Sequence, residues 1–303
     1  MQIKKNSIVS IFIMIALILF IGRFIIQGYN IRTHDPEKPT FNGARAYQDV
    51  VHQVSIGPRT PGSKTHAVLV SWLQQSLLQY GWSAEIQEGT YGGHELKNVV
   101  AKRGEEGQPW IILGAHYDSR LMADQDPDPN LRANPVLGAN DGASGVAVLM
   151  ELARVLPGDL DKQIWLVFFD LEDQGRIKGC DWILGSRYFA ENLEGKPDAV
   201  VIVDMIGDAD LNIYYEKNSD PELTSQIWRQ AAELGYADAF IAEYKYSILD
   251  DHTPFLEKGI PAIDVIDFDY PYWHTSQDTA DKVSADSLQA VGDTLQTWIY
   301  NFK

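Results

Sequence analysis

Five clusters of metal-type ligands punctuate the sequence. Three of them end apolar runs. Residues 110–115 lead into His116-Tyr117-Asp118, residues 164–169 into Asp170-Leu171-Glu172-Asp173, and residues 199–203 into Asp204. A fourth, Asp141, lies in the small-residue tract 138–145, and the fifth, His274, follows Tyr272-Trp273. Histidine and carboxylate are the ligand types of zinc and related ions. In a His-x-Asp pair such as His116/Asp118 the first residue can bind metal while the second orients it. Glu172 and Asp173, adjacent after an apolar strand, repel each other without a cation. Each feature alone has a plainer reading, since an Asp after a strand is usually a turn former or helix cap. Their recurrence at strand ends points to one shared site.

Other chemistries fit the residues less well. Ser144 lies in Gly-Ala-Ser-Gly, which lacks the spacing of a nucleophile elbow. Cys180 has no base near it in sequence, and the glycines of 138–145 do not have dinucleotide-fingerprint spacing. Asp124, Asp126 and Asp128 have the D-x-D-x-D spacing of a calcium loop. However, Pro129 and Pro135 stand where such a loop needs a turn glycine and a bidentate glutamate. The stretch 122–135 therefore reads as a solvated loop at the rim of the site.

Residues from separate strand ends meet at the carboxyl edge of a parallel sheet, where open α/β folds place their functional crevice. The continuous apolar runs 110–115, 164–169 and 199–203 predict buried central strands, with further strands at 84–87, 98–102 and 262–266. Helical spacing predicts helices at 64–80, 142–156, 186–192, 221–234, 253–258 and 286–302. This alternation predicts a three-layer α/β/α sandwich around a mostly parallel mixed central sheet, as a single catalytic domain over 43–303.

Composition agrees. With 303 residues, 45% hydrophobic and 22% charged, the chain has material for a large core, so wholesale disorder is excluded. A net charge of −17 with no basic stripe excludes nucleic acid as a partner. The lone Cys180 excludes a disulfide framework and any cysteine-built zinc cluster. Lys4 and Lys5 precede an apolar run over 8–26, near the roughly 20 residues that span a bilayer. Residues 1–30 are thus expected to be a transmembrane signal-anchor, with a cleaved signal peptide as the alternative, and 31–42 a linker. The catalytic domain would be membrane-anchored by that helix and extracytoplasmic.

The sequence resembles the M28 family of zinc exopeptidases, of which glutaminyl cyclases form a branch. The resemblance rests on Gly57-Pro58-Arg59-Thr60-Pro61-Gly62-Ser63, H-Y-D-S at 116–119, G-A-N-D-G-A-S-G at 138–145 and F-F-D-L-E-D at 168–173. It continues with G-S-R at 185–187, D-D-H-T-P-F at 250–255 and W-H-T at 273–275. It implies two adjacent zinc positions bridged by Asp141, with His116 and Asp204 completing one and Asp173 and His274 the other. Asp118 would hold His116 without touching the metal, and Glu172 would be the general base. Asp251, from the Asp250-Asp251 pair, joins Glu172 in the implied catalytic set. The family usually carries Glu-Glu where this chain has Glu172-Asp173.

Two reactions follow from the resemblance. The main expectation is an aminopeptidase holding two zinc ions, in which Glu172 activates a water to hydrolyse N-terminal residues from peptides with a free N-terminus. Tyr272 and Trp273 would line its side-chain pocket. The alternative is a glutaminyl-peptide cyclotransferase with one zinc, in which Glu172 shuttles a proton from the α-amine to departing ammonia. Asp250-Asp251 and Trp273 before His274 lean toward the cyclase. Against it, the tryptophan that cyclases carry soon after the acidic pair has no counterpart at that spacing, since Trp182 comes later. A receptor-like domain on a dead peptidase fold would be expected to have lost ligands, and none is missing here.

Overall fold

The computed structural model describes residues 39–177 and 179–303. The anchor expected over 1–30 lies outside the described residues, as does the linker up to residue 38. Among the described residues no helix is long and apolar enough to cross a membrane.

The strands are β1 (Ser83–Tyr91), β2 (His94–Arg103), β3 (Trp110–His116), β4 (Gln163–Phe169), β5 (Ala199–Asp204), β6 (Ile213–Tyr215), β7 (Phe240–Tyr244) and β8 (Ala262–Ile266). Six of them form a sheet in the order β1-β2-β4-β3-β5-β8, while β6 and β7 pair separately. β4, β3, β5 and β8 run parallel, and β1 and β2 add an antiparallel edge. The sheet is therefore mixed and mostly parallel at its centre.

Central strands with both faces covered carry apolar side chains on both. Ile111, Leu113 and Ala115 of β3 join Val201 and Val203 of β5 in the larger core, and Ile112, Val200 and Ile202 point into the smaller one. The larger core is roofed by α1 (Gly43–Ile56), α2 (Lys64–Gln79), α3 (Ala143–Val155), α5 (Pro221–Glu233) and α7 (Ala285–Asn301). On the other face, α4 (Leu184–Glu191) supplies Phe189 and Ala190, and α6 (Thr253–Glu257) supplies Phe255. These layers make the α/β/α sandwich.

The structure extends the strand ranges read from sequence. β1 and β2 close into a hairpin through Gly92 and Gly93, whose φ values of 57° and 86° suit the tight turn that matches strand twist. α1 falls where no helix is predicted. Its inward positions include Asp49 and Gln53 beside Ala46 and Val50, so its apolar stripe is broken. Asp49 pairs with Arg154 at 2.5 Å, and Arg154 also reaches the buried Glu151 at 2.7 Å, which fixes α1 to α3. α3 lies close on the sheet because Gly145 faces it. A Cβ there would sit 2.3 Å from the carbonyl oxygen of Val203. This close approach sets Asp141, just before α3, beside the ends of β3 and β5.

Candidate active site

His116 ends β3, Glu172 and Asp173 follow β4, Asp204 ends β5, Asp141 precedes α3, and His274 lies in the loop after β8. The structure brings all six together at the carboxyl edge of the sheet. His116 Nε2 lies 3.1 Å from Asp204 Oδ1 and 3.2 Å from Asp141 Oδ1. His274 Nε2 lies 2.8 Å from Asp173 Oδ1 and 3.7 Å from Asp141 Oδ2. Ligand atoms of His116, Asp141 and Asp204 all fall within 4.8 Å of one another, as do those of Asp141, Asp173 and His274. Asp141 belongs to both groups.

The backbone around the site is strained. Leu171, Met205 and His274 have φ values of 55°, 47° and 56°. They stand just before Glu172, just after Asp204 and at His274 itself. Non-glycine residues reach this region at about 1–3 kcal/mol each, a strain that clusters at functional sites.

Surrounding polar groups over-determine this geometry. Asp118 accepts from the amide of Glu172 at 3.0 Å, from that of Asp173 at 3.3 Å and from the Gln174 side chain at 2.9 Å. Its Oδ1 lies 3.6 Å from His116 Nδ1. Asp278 accepts from the amides of Asn140 and Asp141 at 2.8 and 3.1 Å, and from the Tyr270 hydroxyl at 2.7 Å. The Asn140 side chain takes a bond from the Gly207 amide at 2.7 Å, and Ser144 Oγ one from the Ile206 amide at 3.2 Å. Ser144 thus ties α3 to the loop after β5 rather than serving as a nucleophile. Buried Arg59 donates to the carbonyls of Tyr117 and Gly138 at 3.1 and 2.7 Å, which gives the Gly-Pro-Arg run a structural role.

Electrostatics mark a place for a cation. Burial, reinforced by the Asp141 charge, raises Asp173 to about 6. Burial likewise raises Asp204 to about 7, with Asp250 and Asp141 adding to it against the pull of His116. Glu172 is pushed well above the usual carboxylate range by burial and by Asp250, Asp173 and Asp251, against the opposing pull of His116. Burial would lower His116, but Asp204, Asp118 and Asp141 together hold it well above its ordinary value. Asp141 Oδ2 and Asp173 Oδ2 are buried and lack any hydrogen-bond partner. Unpaired buried carboxylate oxygens are costly, and a bound divalent ion removes that cost. The residues present fit a zinc ion held by mixed His and carboxylate ligands.

A hollow of about 220 Å³ opens onto these groups, lined by Asp141, Glu172, Asp173 and Asp204 and walled by Trp182, Trp273, Phe268 and Ile248. Of the two residues assigned to a substrate pocket, Trp273 lines this hollow. Tyr272 does not. It borders a separate surface depression beside Asp208 and Lys282.

The structure also separates the acidic pair. Asp250 lines the hollow, whereas Asp251 is fully buried outside it. Consecutive residues of the turn entering α6 face different surroundings, which spacing alone does not reveal. Trp182, the tryptophan that arrives too late in sequence, stacks on His274 with ring centroids 6.0 Å apart and planes 16° apart. The longer connection between Asp173 and α4 returns it to the site. Arg176, Tyr246 and Leu249 also line the hollow and carried no signal in the sequence.

Comparison with known proteins agrees with this arrangement. The family model for peptidase family M28 matches residues 98–299. Glutaminyl-peptide cyclotransferase of Bothrops jararaca is 25% identical over 313 residues, covering 86% of this chain and 82% of the relative. Among solved structures, Tannerella forsythia glutaminyl cyclase superposes with a TM-score of 0.80 at 33% identity, covering 88% of this chain and 100% of the other. A Zn-dependent exopeptidase from Parabacteroides distasonis gives a TM-score of 0.81 at 30% identity, covering 87% and 99%.

Proposed function

Because this chain belongs to peptidase family M28, we propose that it is a glutaminyl-peptide cyclotransferase, converting N-terminal glutamine of a peptide to pyroglutamate with release of ammonia. This reverses the order of the two reactions expected from sequence. One observation carries the reading. His116 Nε2 lies at hydrogen-bond distance from both Asp204 and Asp141, whereas His274 Nε2 reaches Asp173 at 2.8 Å but stands 3.7 Å from Asp141 Oδ2. Unpartnered oxygens remain in the group of Asp141, Asp173 and His274, which supports one zinc there. The names of the relatives, mostly glutaminyl-peptide cyclotransferases, support the same choice.

Zinc held by Asp141, Asp173 and His274 would polarise the γ-carbonyl of the substrate glutamine. The residues of the chain do the rest. Trp182 and Trp273 give flat apolar walls for the glutamine side chain. Glu172 accepts a proton from the α-amine as its nitrogen attacks the γ-carbonyl carbon and the lactam C–N bond forms. It returns the proton to the side-chain nitrogen as the old C–N bond breaks, and ammonia leaves. A carboxylate with a raised pKa suits both halves of this transfer. Burial keeps Glu172 basic, and Asp250, across the same hollow, adds to this together with Asp173 and Asp251.

The aminopeptidase remains the second reading, favoured by the presence of two ligand groups sharing Asp141 and by the likeness to a Zn-dependent exopeptidase. Zinc in both groups would suit water activation by Glu172. The apolar run 8–26 supports a membrane-tethered enzyme with its catalytic domain outside the cytoplasm. Incubation with a glutamine-initiated peptide tests the main reading. The peptide should lose the mass of one ammonia and keep its length, whereas release of free glutamine would overturn it.

A further inference from the structure

Arg120 is 1% exposed and belongs to none of the groups that line the hollow. Its guanidinium is divided among three partners. Nε donates to Asp124 Oδ1 at 2.5 Å and Nη2 to Asp124 Oδ2 at 3.2 Å. Nη1 donates to the carbonyl of Asp173 at 2.8 Å, and Nη2 also reaches the carbonyl of Gly175 at 3.1 Å. Its face lies 5.0 Å from the ring of Trp182.

Asp124 faces the other way as well. Its Oδ1 lies 3.6 Å from His274 Nδ1, a buried atom with no hydrogen-bond partner. The loop that carries Asp124 grips the His274 segment beyond this contact. The Gln125 amide donates to the His274 carbonyl at 3.2 Å, and Asp126 Oδ2 accepts from the Ser276 amide at 2.9 Å and from its hydroxyl at 2.5 Å. The aspartates of loop 122–135 are thus spent on Arg120, on the loop's own residues and on the His274 loop.

We propose that Arg120 and Asp124 are positioning residues for the metal held by Asp173 and His274. The proposal rests on the reading that this group holds zinc. Arg120 fixes Asp173 through its carbonyl and fixes His274 through Asp124, so one guanidinium sets the spacing of two ligands from separate loops. A histidine that gives Nε2 to a metal carries its proton on Nδ1, and a carboxylate there selects that tautomer and ring orientation. The Asp124 carboxylate, 3.6 Å from His274 Nδ1, is placed to be that partner. Lysine cannot replace Arg120, because a single ammonium does not divide its donors over a carboxylate and two carbonyls in a fixed plane.

Zinc affinity measured by chelator competition on the full chain tests the proposal, together with thermal melts of the zinc-free protein. Asp124→Ala should weaken zinc about 10–100-fold. Because it also strips the buried Arg120 of its carboxylate partner, the zinc-free melt should fall, and the zinc-free melt of Asp124→Asn, which keeps an acceptor for Arg120, should fall less. Asp124→Asn keeps one oxygen acceptor and should recover part of the loss. Arg120→Lys should weaken zinc at least as much as Asp124→Ala. Zinc affinity of Asp124→Ala within twofold of the parent would overturn the positioning role, whichever reaction the enzyme performs. A parent chain that binds no zinc would overturn the metal reading and the proposal with it.

Discussion

The backbone amide of Glu172 donates to Asp118 Oδ1 at 3.0 Å, the same oxygen that lies 3.6 Å from His116 Nδ1. One carboxylate therefore sets both the turn that carries Glu172 and the imidazole across from it. Burial alone would raise Asp118, but His116, Gln174 and the Glu172 amide together hold it below the usual range, so it stays ionised. Asp118→Ala should lower turnover about 10–100-fold. Steady-state kinetics should place most of the loss in kcat rather than KM, because Asp118 does not line the hollow. A variant with parental kcat would remove Asp118 from this role.

Glu172 lines the hollow but is not needed to hold zinc in the group of Asp141, Asp173 and His274. Glu172→Gln should lower turnover by about 10²–10⁴, the usual contribution of a positioned acid or base. Zinc content, measured by atomic absorption, should stay at the parental level. Retained turnover would take the proton transfer away from Glu172.

Asp250 and Asp251 differ in where they face. Asp250→Asn should cut kcat at least tenfold, on the order expected for a charge beside a catalytic base. Asp251→Asn, behind the hollow, should have the smaller effect on kcat. Comparative kinetics of the two variants checks this, and the opposite ranking would return the catalytic role to Asp251.

The zinc-free protein should lose stability as pH rises. Asp173 and Asp204 have folded-state values of about 6 and 7, above the ordinary 3.8. The folded state therefore holds more protons than the unfolded state between about pH 4 and pH 7, and stability falls as pH rises through that window. His116, also raised, acts in the same direction, since its stabilising charge is lost as pH rises through its folded value. Zinc replaces the protons, so the difference in melting temperature between zinc-loaded and chelator-treated protein should widen from pH 5 to pH 8. A difference that stays constant would contradict the placement of a cation among these carboxylates.

The central sheet was legible because β3, β4 and β5 carry continuous apolar runs, while β8 is as buried but interrupted by Asp264. Acidic and histidine residues at their carboxyl ends stood out against that background. α1 was illegible because Asp49 and Gln53 interrupt its inward stripe, with Asp49 pairing through Arg154 rather than by hydrophobic contact. β6 and β7, three and five residues long, are too short to show a period. At the site, the ligand residue types could be read. Facing could not, because it depends on turn geometry: Asp250 enters the hollow and Asp251 does not, and Trp273 enters while Tyr272 turns away. Trp182 was hidden by the length of the connection that carries it, and Asp124 by a spacing that suggested calcium. Its partner is Arg120, which only the fold brings between Asp124 and Asp173.

The most direct measurement combines zinc stoichiometry with product identity on one preparation. A glutaminyl cyclase should hold one zinc per chain and, from a glutamine-initiated peptide, release one ammonia per molecule converted with no shortening of the peptide. Two zinc ions per chain with stepwise release of free amino acids would contradict that reading and establish the aminopeptidase instead.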